Sequence, residues 1–252
     1  MGGMEKALRS LIDWYDRAGV DVPDLPLERS VRRVRPKPAA SDAPPPKPKP
    51  AAFAAADPAP IAAACKTIAE LKAALDAFDA GALSDGARQA VLARGNPDAP
   101  LMILGEAPGA QEDRDGLPFV GRSGQLLDRM LAAIGLGADE SYIANVCFWR
   151  PPNNRKPDPA ELELCRPFVL RHIQLAQPKV LLLTGGVSME VMTGVKGIMR
   201  NRGQWQSVNV GGEDIPALPI YHPAFLLRQP ALKAEAWRDL LSLREKLAEF
   251  AG

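Results

Sequence analysis

The side chains able to do chemistry in this 252-residue chain collect at the ends of four short apolar runs. Run 101–104 (LMIL) leads into Gly105-Glu106-Ala107-Pro108-Gly109, and run 142–146 (YIANV) carries Asn145. Run 179–184 (KVLLLT) meets Gly185-Gly186, and run 216–221 (PALPIY) meets His222-Pro223. These ends offer a carboxylate for acid–base or electrostatic work, an amide that both donates and accepts, a bare backbone, and an imidazole. Each has a plainer explanation. Gly-Glu-Ala-Pro-Gly makes a tight turn whose glycines supply positive φ, Asn145 caps a turn, and a lone histidine packs structurally. Against these stand the cost of a charge placed in a crevice without a task and the position of His222 between a strand and a proline-stiffened loop. The other histidine, His172, falls in a helical pattern and is expected on the surface without a role. Phe119, inside Gly116-Leu-Pro-Phe-Val-Gly121, is either core or an aromatic face presented by a loop.

Helical patterns lie between the runs, at 123–135 and 160–176, with others at 66–80 (Thr67 as its cap) and 232–249. Strands that are apolar throughout and alternate with helices form a parallel sheet covered on both faces. The fold class predicted is α/β, a three-layer α/β/α arrangement with a central four-stranded parallel sheet. Ligands of such sheets sit outside the carboxyl ends of the strands, so the four chemical groups are expected to converge on one crevice.

Residues 1–60 read as a short amphipathic helix followed by a basic, Pro/Ala-rich linker, mostly disordered, with nine of the chain's 25 prolines between 36 and 60. Residues 61–252 form the expected catalytic domain. The net charge is +1, but residues 61–144 carry 7 Lys/Arg against 12 Asp/Glu, while 145–210 carry 9 against 4. A globally basic coat is excluded; a locally basic face is not. No apolar run is long enough for a membrane span, and the N-terminus has no apolar stretch of the secretory kind. Three cysteines argue against a disulfide framework and for a reducing cytoplasm. No oligomeric interface is legible, so a monomer is the default.

The strings GEAPGAQEDRDGLPFVGRSGQLLDRML (105–131), YIANV…RPPNNRKP (142–157), LELCRPFVLRHI (162–173), PKVLLLTGG (178–186) and YHPAFLLRQP (221–230) together resemble the family 4 uracil-DNA glycosylases. The likeness runs from about residue 90 to 247. It implies a base-excision repair enzyme, located with the nucleoid, that hydrolyses the N-glycosidic bond of uracil in DNA and leaves an abasic site. By position it makes Glu106 and His222 catalytic. Gly105, Ala107, Phe119 and Asn145 become the uracil-binding groups, with Phe119 stacking on the flipped base and Asn145 reading its edge. His222 and N–H groups of the Gly105–Gly109 turn would stabilise the developing uracil oxyanion. Glu106 either orients the attacking water or stabilises the cationic sugar; both remain open. Arg150, Arg155, Lys156, Arg200 and Arg202 are expected at phosphates, and Leu226, Leu227 and Arg228 form an apolar wedge beside a cation. Ala107 has no polar side chain, so a carboxylate base from that position is absent. The alternatives are a broader damaged-base range or a non-catalytic DNA-binding homologue. A nucleotide-binding protein is disfavoured, since the Gly105–Gly109 turn lacks a Lys and carries a carboxylate.

The resemblance also implies a [4Fe–4S] cluster on four cysteines. Its positions fall near Phe78, Gly81 and Trp149 here, and only Cys165 occupies a matching slot; Cys65 and Cys147 are displaced. The expectation is therefore no metal and no cofactor, with Phe78, Phe148 and Trp149 filling that volume as a hydrophobic plug.

Overall fold

The computed structural model describes residues 56–250; the helix and linker expected further upstream lie outside them up to residue 55. The first helix is α1 (Pro58–Ala64), which starts inside the segment assigned to the linker. Asp57 accepts from the Ala59 N–H at 3.0 Å and Pro58 occupies the first turn, a proline position that sacrifices no helical hydrogen bond. Helix α2 (Ile68–Ala77) follows, capped by Thr67 as its spacing predicts, and then the single turn α3 (Ala82–Asp85). The alternating part comprises β1 (Ala93–Gly95), β2 (Leu101–Gly105), α4 (Ala110–Asp115), α5 (Arg122–Ala132), β3 (Ser141–Asn145), α6 (Pro159–Ala176), β4 (Val180–Thr184), α7 (Gly186–Thr193) and α8 (Ile198–Asn201). It closes with β5 (Gln206–Val210), β6 (Glu213–Ile220), α9 (Pro223–Arg228) and α10 (Lys233–Ala248).

The sheet order is β1-β3-β2-β4-β6-β5. Its central four strands, β3, β2, β4 and β6, are mutually parallel, and they are the four apolar runs. The expected four-stranded sheet is thus extended by two antiparallel edges: β1 on β3 and β5 on β6. Neither edge carries a buried apolar run; β1 is Ala-Arg-Gly and β5 alternates, which is why hydrophobic patterning alone passes over them.

Strands β2, β3 and β4 are buried along their whole length, as a sheet covered on both faces requires. Met102 and Leu104 share one core with Phe168, Val169 and Ile173 of α6. Successive residues face opposite ways, so Leu101 and Ile103, also fully buried, point to the opposite face of the sheet. His172 departs from expectation. It is buried on the sheet side of α6, and its Nε2 lies 2.8 Å from the Tyr142 hydroxyl on β3. Burial pushes its pKa down to about 3, so it is a neutral core residue. A helix covering a sheet has one inward face, and position 172 falls on it with Leu164, Phe168 and Ile173. Among the described residues no helix is long and apolar enough to cross a membrane.

Candidate active site

Gly105 and Asn145 end adjacent parallel strands in register with each other. A Cβ on Gly105 would lie 2.3 Å from Asn145 Oδ1 and 2.5 Å from the Phe119 ring, so the amide and the aromatic ring close together over a bare Cα. Both side chains are buried. The Phe119 ring stacks against the His222 imidazole, centroids 5.7 Å apart and planes 25° apart. A Cβ on Gly185, whose φ is +100°, would stand 3.1 Å from the His222 Cβ, so a glycine there lets His222 pack close against the end of β4. Thr184 Oγ1 donates to the Leu104 carbonyl at 3.1 Å and ties the end of β4 to β2. The strand ends therefore bring Phe119, Asn145 and His222 to one place.

The chemistry of His222 stems from its cap position. Its Nδ1 accepts from the Ala224 N–H at 3.1 Å, so that nitrogen carries no proton and the neutral ring carries its proton on Nε2. Burial, together with the Arg228 charge, pushes its pKa down to about 4. At neutral pH the ring is an uncharged donor with one fixed N–H. Glu106 is half-buried one residue past β2; burial raises its carboxyl above the ordinary value and Lys156 partly offsets this. Among the described residues no hydrogen bond engages its carboxylate. The adjacent turn differs in one respect from expectation: the Gly109 N–H is already donated to Glu112 Oε2 at 3.2 Å. Ala107 is half-buried beside Glu106.

The basic and apolar residues expected at DNA divide into two groups. Leu226 is fully buried, because α9 packs against α5 and turns that side chain inward. The exposed pair at the end of that helix is Leu227, 36% exposed, and Arg228. Arg155 is committed to Glu161, donating to its two oxygens at 2.7 and 2.5 Å. Those bonds hold the buried Glu161 below the ordinary carboxylate value although burial alone would raise it. Arg150 donates to Asn154 Oδ1 at 2.7 Å. Arg202 is likewise internal, pairing with Asp239 and Glu235 of α10 and lying 5.4 Å from the centre of the Tyr221 ring. Arg200 and Lys156 remain exposed.

Three residues that shape this site have no counterpart in the sequence reading: Arg94, Glu112 and Gly124. Phe119 has a φ of 55°, a left-handed conformation rare for a bulky residue. Arg94 donates to the carbonyls of Pro118 (2.8 Å) and Phe119 (3.3 Å). Glu112 accepts from Gly109 and, at 3.0 Å, from Gly121. Gly124 lets α5 approach so closely that a Cβ there would stand 1.7 Å from the Phe119 carbonyl oxygen. Only Glu112 left a trace in the sequence, since Gly109-x-x-Glu has the spacing of a helix-capping box.

A [4Fe–4S] cluster needs four converging thiolates. Of the four positions the resemblance points to, Phe78 and Trp149 are buried aromatics 6.2 Å apart, Gly81 precedes α3, and only Cys165 is a thiol. Phe78 also meets Phe168 edge-to-face at 5.1 Å, and Phe148 packs on Trp149 at 6.2 Å. The Cys147 Sγ–H donates to the Trp149 carbonyl at 3.3 Å, and the Cys65 Sγ–H donates to the Ile61 carbonyl at 3.3 Å. Among the described residues no group of three or more His, Cys, Asp or Glu side chains is placed to hold a metal. The residues present do not fit the cluster.

A planar ring, a rigid amide and a neutral imidazole donor thus meet at the carboxyl ends of a parallel sheet. Residues 92–241 match the uracil DNA glycosylase superfamily, and the chain belongs to that superfamily. It is 37% identical to a type-4 uracil-DNA glycosylase of Archaeoglobus fulgidus over 63% of this chain and 80% of the relative. Against the type-4 enzyme of Pyrobaculum aerophilum it is 36% identical over 61% and 81%, and against that of Thermotoga maritima 36% over 64% and 82%.

Proposed function

We propose that this protein is a monofunctional uracil-DNA glycosylase of base-excision repair that hydrolyses the N-glycosidic bond of uracil in DNA, leaves an abasic site, and needs no iron–sulfur cluster. The observation that carries the reading is the meeting of Phe119, Asn145 and His222 around the bare Cα of Gly105 in a chain of this superfamily.

The extruded uracil stacks on Phe119. Asn145 distinguishes it from cytosine, which reverses donor and acceptor at N3 and the 4-position, because a buried amide cannot turn to suit both without leaving a group unpaired. Phe119 and His222 are too close to sandwich a base, which needs about 7 Å at two van der Waals contacts. The imidazole therefore meets the base at an edge and donates Nε2–H to the carbonyl oxygen that gains charge as the bond breaks. Glu106, ionised, serves the other side of that bond, either aligning water or stabilising the oxocarbenium-like sugar. Leu227 and Arg228 approach the DNA, the leucine filling the stack and the arginine at a phosphate, with Lys156 and Arg200 as further phosphate contacts. Phe78 and Trp149 stand as buried aromatics at positions the resemblance gives to cluster cysteines, which supports the cluster-free reading. The protein acts as a monomer in the cytoplasm at the nucleoid, and the activity resides downstream of residue 55.

The test is a panel of duplexes each bearing one uracil, hypoxanthine or thymine, incubated with the full chain and with a chain lacking residues 1–55, and then treated with alkali to cut abasic sites. Cutting at uracil by both proteins supports the reading. Cutting at hypoxanthine alone moves the activity to another base, and binding without cutting moves it to a non-catalytic role.

A further inference from the structure

We propose that Arg94 is a positioning residue for base recognition, holding Phe119 in its left-handed pose through the carbonyls of Pro118 and Phe119. This rests on the uracil-excision reading above. A phenylalanine with a φ of 55° persists only where its surroundings fix it. Here the fixing is specific. Arg94 Nε donates to the Pro118 carbonyl at 2.8 Å and Nη2 to the Phe119 carbonyl at 3.3 Å. Nη2 also reaches Asp128 Oδ1 at 2.5 Å, which anchors the guanidinium to α5. Relaxing Phe119 to an ordinary backbone conformation would turn its carbonyl away from this fork and swing the ring off Gly105.

The position of Arg94 in the sheet gives the contact its meaning. It sits on the edge strand β1, opposite Ile143 of β3, the strand that ends in Asn145. Arg94 thus links the loop that carries the stacking ring to the strand that carries the base-reading amide, so both base contacts share one rigid frame. Glu112 clamps the same loop from its far end by accepting from Gly109 and Gly121. Arginine suits the task because its planar fork serves two carbonyls and a carboxylate at once, which an ammonium cannot do in one geometry.

The experiment is a cycle of Arg94→Ala, Phe119→Ala and the double variant in the full chain, with Arg94→Lys as a variant that keeps the charge beside Asp128. Single-turnover release of uracil from a single-uracil duplex is measured with the affinity for the same duplex without uracil. Arg94→Ala is expected to slow excision about 10- to 100-fold, the range for a misplaced contact group, with affinity for undamaged DNA unchanged and Arg94→Lys intermediate. In the Phe119→Ala background the same substitution should change the rate less than about twofold, since both act through one ring. An unchanged rate in Arg94→Ala, or the same slowing with and without the Phe119 ring, overturns the assignment alone. No uracil release by the unsubstituted chain overturns the function and this inference with it.

Discussion

Gly105 and Asn145 face each other at the carboxyl ends of two parallel strands, and a single methyl on Gly105 would stand 2.3 Å from the Asn145 amide oxygen. The close approach of the amide and the ring therefore depends on an atom that is missing. Gly105→Ala is expected to displace the amide and the Phe119 ring together and to slow excision by about 10²-fold or more, with the near-ultraviolet circular dichroism of the core retained. A variant that excises at the wild-type rate would mean that Asn145 and Phe119 do not act from their observed positions.

His222→Ala should reduce single-turnover excision by about 10²–10³, the cost of removing one oxyanion donor. The ring is neutral at working pH, so the donor is an uncharged N–H and no loss of rate is expected between pH 6 and 8 from its titration. Acid stability carries the same signature. His222 and His172 have folded values near 4 and 3, below the ordinary imidazole value. Their contribution to stability is fully present above the unfolded value near 6.5 and is lost as pH falls through the folded ones. Unfolding midpoints measured from pH 7 to 4 should fall less steeply for His222→Ala than for the wild type; parallel curves would contradict the depressed value.

Glu106 has the opposite sign. Burial raises its carboxyl, so ionisation weakens the folded state as pH rises through the raised value, while the proposed chemistry needs the ionised form. Glu106→Gln should lose excision and gain melting temperature at pH 7. In the wild type, excision should fall as pH drops, with an apparent pKa above the ordinary glutamate value. A less stable Glu106→Gln protein would contradict this account of the site.

The four central strands were legible because parallel strands buried on both faces must be apolar throughout, which makes 101–104, 142–146, 179–184 and 216–221 stand out. Residues at the carboxyl ends of such strands must lie along one edge of the sheet, and that places Glu106, Asn145, Gly185 and His222. Arg94 escaped because β1 is three residues long and its importance lies in carbonyls of a loop distant in sequence. Arg155 and Arg202 look like phosphate contacts in a charge count; only the fold reveals that Glu161 and Asp239 already hold them. Leu226 and Leu227 are indistinguishable as letters, and the packing of α9 on α5 separates them.

Asn145→Asp tests the reading of the base. An aspartate keeps the size and removes the amide's donor, so the rate on uracil should fall about 10²-fold or more, as for other sites left with an unpaired polar group. Affinity for undamaged duplex should hold. Equal weakening on undamaged DNA would make Asn145 a general DNA contact and not the reader.

The most direct measurement is uracil release and iron content on one purified sample of the full chain, produced with ample iron and sulfide. The expected result is efficient release of free uracil from a single-uracil duplex by protein containing no stoichiometric iron, because Phe78 and Trp149 are buried aromatics at two of the cluster positions and only Cys165 among the four is a thiol. Activity confined to fractions that carry about four irons per chain would contradict it.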